Sequence, residues 1–412
     1  MRKIERKILN LVVKKNLPME KTESVEPVAE SKPTMDGLQD RLKIYLWNRY
    51  DFRFNNLTES PEYAVKGSGE FQGVDKRALN SFCLEANNVG IACWDKDVAR
   101  LLYSYAVTDF HPIQVYMERL PEWDGKDRVR TLAERVSKDE LWVMCFRRWL
   151  LGVVAHWCGK VGQTANTFAP LLVSNRQGMC KSTFCRMLMP DSLHDFYLDK
   201  FDLTAQSDGV RKLGFYGLIN MDEFDRYTHR QLATLKNLMQ LRRLSVRKAY
   251  QSSFSRMERV ASFIGTSNER FLLKDTTGSR RFFCIEVSEK INCDPLEHKQ
   301  LYAQLKHELE AGERYWFTAD EEQQIQQHNQ SFYQTPPEEE VLKLCYRMPE
   351  AGEQFMEMTA MQIFSSLKRR YPSAMCGVSA AAFSKKLMAS GFERVHRKNG
   401  NFYRVAGVES VQ

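Results

Sequence analysis

The chain has 412 residues, enough for two or three domains, and its 43% hydrophobic content is ordinary for a folded protein. No stretch approaches the roughly 18 apolar residues of a membrane span, which argues against a membrane partner. Sixty basic against 52 acidic residues leave a net charge of +8, and the excess is not evenly spread. Residues 1–36 mix Lys, Glu, Pro and Ser and read as a mobile tail. Its apolar run ILNLVV (8–13) is too short for a signal-peptide core, and no small-residue cleavage site follows. The ten cysteines form no C-x-x-C pair and no paired metal spacing. That usage fits a reducing cytoplasm, so a cytoplasmic location is expected.

Residues 37–165 are expected to form a mostly helical domain, with helices over 39–50, 75–85, 94–105, 113–120, 127–136 and 141–157. From 166 to 334 apolar strands alternate with helices, the pattern of an α/β domain around a central parallel sheet. Its first strand, FAPLLV (168–173), leads into SNRQGMCKST (174–183) and then a helical pattern. Strand, loop and helix in that order are the setting of a phosphate-binding loop, whose template is G-x-x-x-x-G-K-[ST]. Lys181 and Ser182 occupy the Lys and Ser/Thr positions, while Asn175 and Cys180 stand at the two glycine positions. Backbone N–H groups of Asn175, Gln177, Gly178, Met179, Cys180, Lys181, Ser182 and Thr183 would cradle the phosphates of ATP. Lys181 would reach the β- and γ-phosphates, and the Ser182 hydroxyl would hold Mg²⁺.

Three downstream segments complete the pattern of a P-loop NTPase. LINMDEFD (218–225) is an apolar strand ending in acids, the Walker B pattern. There Asp222 would hold the metal and Glu223 would orient or deprotonate the attacking water. ASFIGTSN (261–268) is a second buried strand, and Asn268 at its end is placed to sense the γ-phosphate or the water. GSRRFF (278–283) sets Arg280 and Arg281 before a last strand, where arginines can stabilise a transferring phosphoryl group in cis or across a subunit boundary.

The dipeptide Pro336-Pro337 marks a boundary, and residues 335–412 are expected to form a small α+β domain. Helices over 338–347, 359–370 and 379–390 precede two short strands around RKNG (397–400). Three helices and a hairpin make a winged-helix-like plan. Between residues 359 and 408 nine basic residues face one acid, Glu393, so this segment carries essentially the whole net charge. Lys385 and Lys386 on the third helix, with Arg394, Arg397, Lys398 and Arg404 near the hairpin, are candidate DNA contacts. Protein contacts are the alternative use of such a domain.

RQGMCKSTFCRMLMP (176–190), LINMDEFD, SFIGTSN and TGSRRFF together resemble the virulence-associated protein E family, as does HPIQVYMERLPEWDGKDRV (111–129) upstream. The resemblance spans about residues 100–320. It implies a P-loop ATPase similar to superfamily three helicases, often encoded on phage-derived and other mobile elements. Members of the family usually carry a glycine where this chain has Cys180. The resemblance also implies a homo-oligomeric ring whose β-hairpin grips single-stranded or forked DNA. LSVRKAYQSSFSRMERV (244–260) reads as that hairpin, with Arg247, Lys248 and Tyr250 supplying charge and a stacking face. The function expected is DNA translocation or remodelling driven by ATP hydrolysis with Mg²⁺, in replication of a mobile element. Two alternatives stay open: a nucleotide-gated DNA-binding regulator that hydrolyses slowly or not at all, and an accessory protein of a primase or other replication protein.

Overall fold

A computed structural model describes residues 37–162, 164–203, 206–247, 254–273, 279–350 and 352–408. They divide into two compact units, one of residues up to 54 with 60–109, the other of 55–59 with everything from 110 onward.

The first unit contains the expected helices, observed at Leu38–Arg49, Lys76–Asn88 and Asp95–Leu102. It also carries a sheet that a mostly helical reading omits. Strands β1 (Tyr50–Asn55), β2 (Ser60–Val65), β3 (Gln72–Gly73) and β4 (Thr108–Phe110) lie in the order β3-β2-β1-β4. The cause is legible in YDFRFN (50–55), where aromatic and polar residues alternate with the period of a half-buried strand. Tyr50 and Phe52 turn toward Phe82, with ring centroids at 4.8 and 5.8 Å.

The second unit is built on a five-stranded parallel sheet. Its strands are β5 (Ala169–Val173), β6 (Tyr197–Leu198), β7 (Leu218–Met221), β10 (Ser262–Ser267) and β11 (Phe282–Glu286). Their order is β11-β5-β10-β7-β6, and every strand pairing is parallel. β5 and β7 are buried at every position, as strands covered on both faces must be. Alternate residues feed two cores. Leu172, Leu218, Ile264, Phe283 and Ile285 pack toward the helices Glu140–Trp157, Lys181–Met187 and His298–Glu310. Leu171, Val173, Ile219, Met221, Phe263 and Cys284 pack on the opposite face, toward Gln206–Phe215 and His229–Leu238. Trp142, Phe146, Trp149, Val153 and Trp157, spaced three or four apart, form the buried stripe that fixes the long helix to the first face.

The chain leaves β5 for the far edge at β6, returns through β7 and β10, and then passes over β5 to β11. The connections leaving the neighbouring strands β5 and β10 therefore run to opposite sides of the sheet. In open parallel sheets, ligands bind beyond the carboxyl ends of the strands at such a point.

Strands β8 (Arg243–Arg247) and β9 (Phe254–Glu258) pair antiparallel as a separate two-stranded hairpin, in register Arg243 with Glu258 and Arg247 with Phe254. Its base is held by Arg259, only 1% exposed, which donates to the carbonyls of Met239, Leu241, Ala261 and Asn166. With no carboxylate among those acceptors, burial pulls its guanidinium down to about 9.

The C-terminal part has the expected helices at Pro337–Cys345, Ala360–Arg370 and Ala380–Ala389. Thr359 caps the second through a capping box with Gln362. Strands β14 (Arg394–Arg397) and β15 (Gly400–Gly407) form the hairpin, turning through Lys398-Asn399 into Gly400 at φ 126°. Two strands join β15 that the sequence reading did not separate, β12 (Tyr346–Arg347) and β13 (Met356–Thr359).

Candidate functional site

The carboxyl ends of β5, β10 and β7 carry the polar residues of the three motifs, and four of them meet there. Lys181 Nζ donates to Ser174 O at 2.7 Å and to Asn268 Oδ1 at 2.9 Å. Ser182 Oγ donates to Asp222 Oδ1 at 3.1 Å, and Thr266 Oγ1 donates to the same oxygen. Lys181 is 8% exposed, although its direct partners are neutral oxygens. Burial holds its ammonium below the usual lysine value, with Asp222 and Asp225 acting in the opposite direction. An ammonium has three donors, and the third has no acceptor among the described residues.

Two residues of the loop have positive φ. Gly178 has φ 74°, and a Cβ built there would meet nothing within 4 Å. Cys180 adopts φ 60°, ψ 24°, so a left-handed residue stands where the template has its second glycine. Its thiol lies 3.7 Å from Gly178 O, on the carbonyl side of the loop rather than among the N–H donors. The Met179 side chain is buried in the core, while Asn175, Gln177, Gly178 and Thr183 are exposed. Glu223 is also left-handed, at φ 54°, and pairs with Arg226 at 2.8 Å. Only three described non-glycine residues have positive φ, and two of them are Cys180 and Glu223. Backbone strain thus collects at this site, as it does where function requires it.

Arg280 and Arg281 do not join this group within one chain. They precede β11, whose first residue, Phe282, is in register with Ala169 at the start of β5. About 13 Å of strand separates that end from the loop. Arg280 pairs with Glu322 at 3.1 Å, and both arginines line a pocket with Asn166, Gln240 and Trp316. Arg281 is half-buried and has no hydrogen-bond or ion-pair partner among the described residues. Burial and the neighbouring Arg280 pull its guanidinium below the usual arginine value.

The candidate DNA contacts are dispersed. Arg247 ends β8, while Lys248 and Tyr250 lie outside the described residues. Lys386 is paired with Glu338, Arg397 with Glu357 at 2.7 Å, and Arg404 with Glu393 at 2.7 Å. Lys385, Arg394 and Lys398 are exposed and make no ion pair among the described residues. Three of the nine basic residues of this segment are thus neutralised locally.

Residues 117–334 match the model of the virulence-associated protein E-like domain, which is more than half of the chain. The chain belongs to that family. Residues 335–405 match a second model, a domain of unknown function described from a B. Theta gene (DUF3874). No curated protein matches the chain. Among solved structures it is similar to the apo C-terminal region (305–718) of NrS-1, at 12% identity and a TM-score of 0.44, over 90% of this chain and all of that one. The A form of the same region matches at 15% identity and a TM-score of 0.39, over 72% of this chain and 67% of that one.

In this member of the family the site includes residues that the motif reading passed over. Thr266 shares Asp222 with Ser182, and Ser267 Oγ donates to Asp225 Oδ1 at 2.7 Å. Arg270 follows β10 and pairs at 3.1 Å with Glu286, the register partner of Val173, so a guanidinium does stand at the loop end of the sheet. The available signal was its place two residues after Asn268. Among the described residues no three His, Cys, Asp or Glu side chains gather to hold a metal, and no helix is long and apolar enough to cross a membrane.

Proposed function

We propose that this chain is an ATP-dependent, DNA-translocating or DNA-remodelling ATPase of the P-loop class, acting in the replication of a mobile element. The observation that carries the reading is the meeting of Lys181, Ser182, Asp222 and Asn268 at the carboxyl ends of β5, β7 and β10. Those residues fit Mg²⁺ and ATP. Lys181 is a buried cation without a contacting carboxylate and with a free donor, the condition that an incoming phosphate relieves. Asp222 has a second carboxylate oxygen with no donor among the described residues, and with Ser182 it forms the small oxygen set that Mg²⁺ combines with phosphate oxygens. Bound ATP would supply the phosphoryl group whose transfer to water releases the free energy for movement.

The protein's own groups have separable tasks. Lys181 neutralises phosphate charge, Asn268 fixes Lys181 and the attacking water, and Glu223 accepts that water's proton. Glu223 is engaged by Arg226, at a side chain 71% exposed, and surface pairs of this kind cost little to break, about 0–1 kcal/mol. Release of Glu223 is the step that DNA or a neighbouring subunit would trigger. Arg281, with Arg280, suits a neighbour's site in a homo-oligomeric ring, because neither reaches the loop of its own chain. The β8–β9 hairpin and the winged-helix-like C-terminal domain are the DNA-facing parts of this reading, with Lys385, Arg394 and Lys398 the basic residues free to take phosphates.

The purified chain is expected to hydrolyse ATP slowly alone and several-fold faster with single-stranded or forked DNA, as a species heavier than a monomer by mass. No turnover with single-stranded, forked or duplex DNA would overturn the proposal.

Cys180→Gly bears on the rate. Relief of the left-handed conformation is worth about 1–2 kcal/mol, and the added freedom of the unfolded chain offsets about 0.4–1 kcal/mol of that. Since the loop already has the glycine-like shape, the variant is expected to melt close to the parent and to turn over ATP at a similar rate. A large gain in steady-state turnover would instead support the slow, nucleotide-gated regulator.

A further inference from the structure

Residues 287–293 run along the back of the candidate loop. Val287 N donates to Val173 O at 2.7 Å, and Ile291 N donates to Met179 O at 3.2 Å. Cys293 Sγ then donates to Cys180 O at 3.9 Å. Arg135 fixes the flanks of Cys293 by donating to Asn292 O at 3.3 Å and Asp294 O at 2.7 Å. A second thiol is therefore held by backbone contacts against the one loop residue that bears a thiol. Both cysteines are half-buried, and the Cys180 thiol faces the carbonyl side of the loop. Burial, followed by the nearby Cys180 thiol, pushes Cys293 up, while Arg135 and Lys290 oppose the shift.

We propose that Cys180 and Cys293 are an oxidative modification site at which a peroxide forms a disulfide, tying the loop to residues 287–293 and closing it to nucleotide. The gating half of this inference rests on the reading of the loop as an ATP site. The chemistry balances with hydrogen peroxide as oxidant. One sulfur attacks a peroxide oxygen, the O–O bond breaks, and sulfenic acid and water form. The second sulfur attacks the sulfenic sulfur, the S–O bond breaks, and a second water leaves as the S–S bond forms. Two thiols and one peroxide give one disulfide and two waters. Closure follows from geometry. The sulfurs must approach to about 2.05 Å, which drags Cys180 toward Cys293. Lys181 is the next residue, so the same movement carries its ammonium away from the position set by Ser174 O and Asn268.

The test uses the full chain, treated with hydrogen peroxide and quenched. Unreduced peptide mapping and binding of Mg²⁺·ATP are read before treatment, after it, and after dithiothreitol. The expected results are a Cys180–Cys293 linked peptide and a loss of Mg²⁺·ATP affinity, both reversed by dithiothreitol. Cys293→Ser, with Cys293→Ala as a second variant, is expected to bind ATP and keep that affinity through peroxide. Mapping separates this pair from Cys83 and Cys93, whose sulfurs lie 4.0 Å apart in the other unit. Absence of the linked peptide, a linked peptide without loss of affinity, or equal loss in both Cys293 variants would overturn the inference. Failure of the reduced chain to bind ATP would overturn the reading of the site, and with it the gating, even where the linked peptide forms.

Discussion

Lys181→Ala is expected to lower DNA-stimulated ATP turnover by about 10²–10³-fold, the usual cost of removing one preorganised charge-stabilising donor. The ammonium is buried and already aimed by Ser174 O and Asn268, so no water or neighbouring lysine can take its place cheaply. The same burial gives a stability signature that does not depend on ATP. Lys181 is held below its ordinary value of 10.5 in the folded chain. Relative stability from this group is therefore fully present above 10.5 and is lost as pH falls through the lower folded value. At neutral pH the charged lysine works against the fold. Lys181→Met removes that titration, so its melting temperature relative to the parent is expected to be highest near neutral pH and to decline toward pH 10.5. Calorimetric scans of the two ATP-free proteins across that range check it, and a difference that grows with pH would contradict it.

Glu223→Gln is expected to separate binding from chemistry. Removal of a general base costs about 10²–10⁴-fold in turnover, while the amide keeps the size of the side chain and leaves Lys181, Ser182 and Asp222 in place. Turnover should collapse with little change in ATP affinity, and the melting temperature should barely move because the Arg226 partner is on the surface. Asp225 is the competing carboxylate nearby, but Ser267 Oγ already occupies it at 2.7 Å. If Glu223→Gln kept parental turnover and Asp225→Asn lost it, the base would have to be reassigned.

Much of this arrangement was legible in the sequence because it depends on local patterns. Apolar runs ending in polar residues gave β5, β7 and β10, and a parallel sheet puts all their polar ends on one side. Lys181, Ser182, Asp222 and Asn268 meet for that reason. The same rule sets Arg280 and Arg281 away from the loop of their own chain. Their 12- and 13-residue spacing from Asn268 looks close, but a strand parallel to β10 must start at the opposite edge, so residues just before β11 are carried away from the loop. Residues just after β11 are carried toward it, which is how Cys293 reaches Cys180. The strands at 50–73 were obscured because the helical run Leu38–Arg49 joins β1 with no turn residue between them. Ion pairs such as Arg397 with Glu357 cross 40 positions, and no local pattern announces which charges are already neutralised.

The most direct measurement is an equilibrium calorimetric titration of the chain with a non-hydrolysable ATP analogue, with and without Mg²⁺, alongside Lys181→Ala. The account predicts one saturable site per chain, weakened by omission of Mg²⁺ and lost in Lys181→Ala. No saturable binding to the parent, or equal binding by parent and variant, would contradict it.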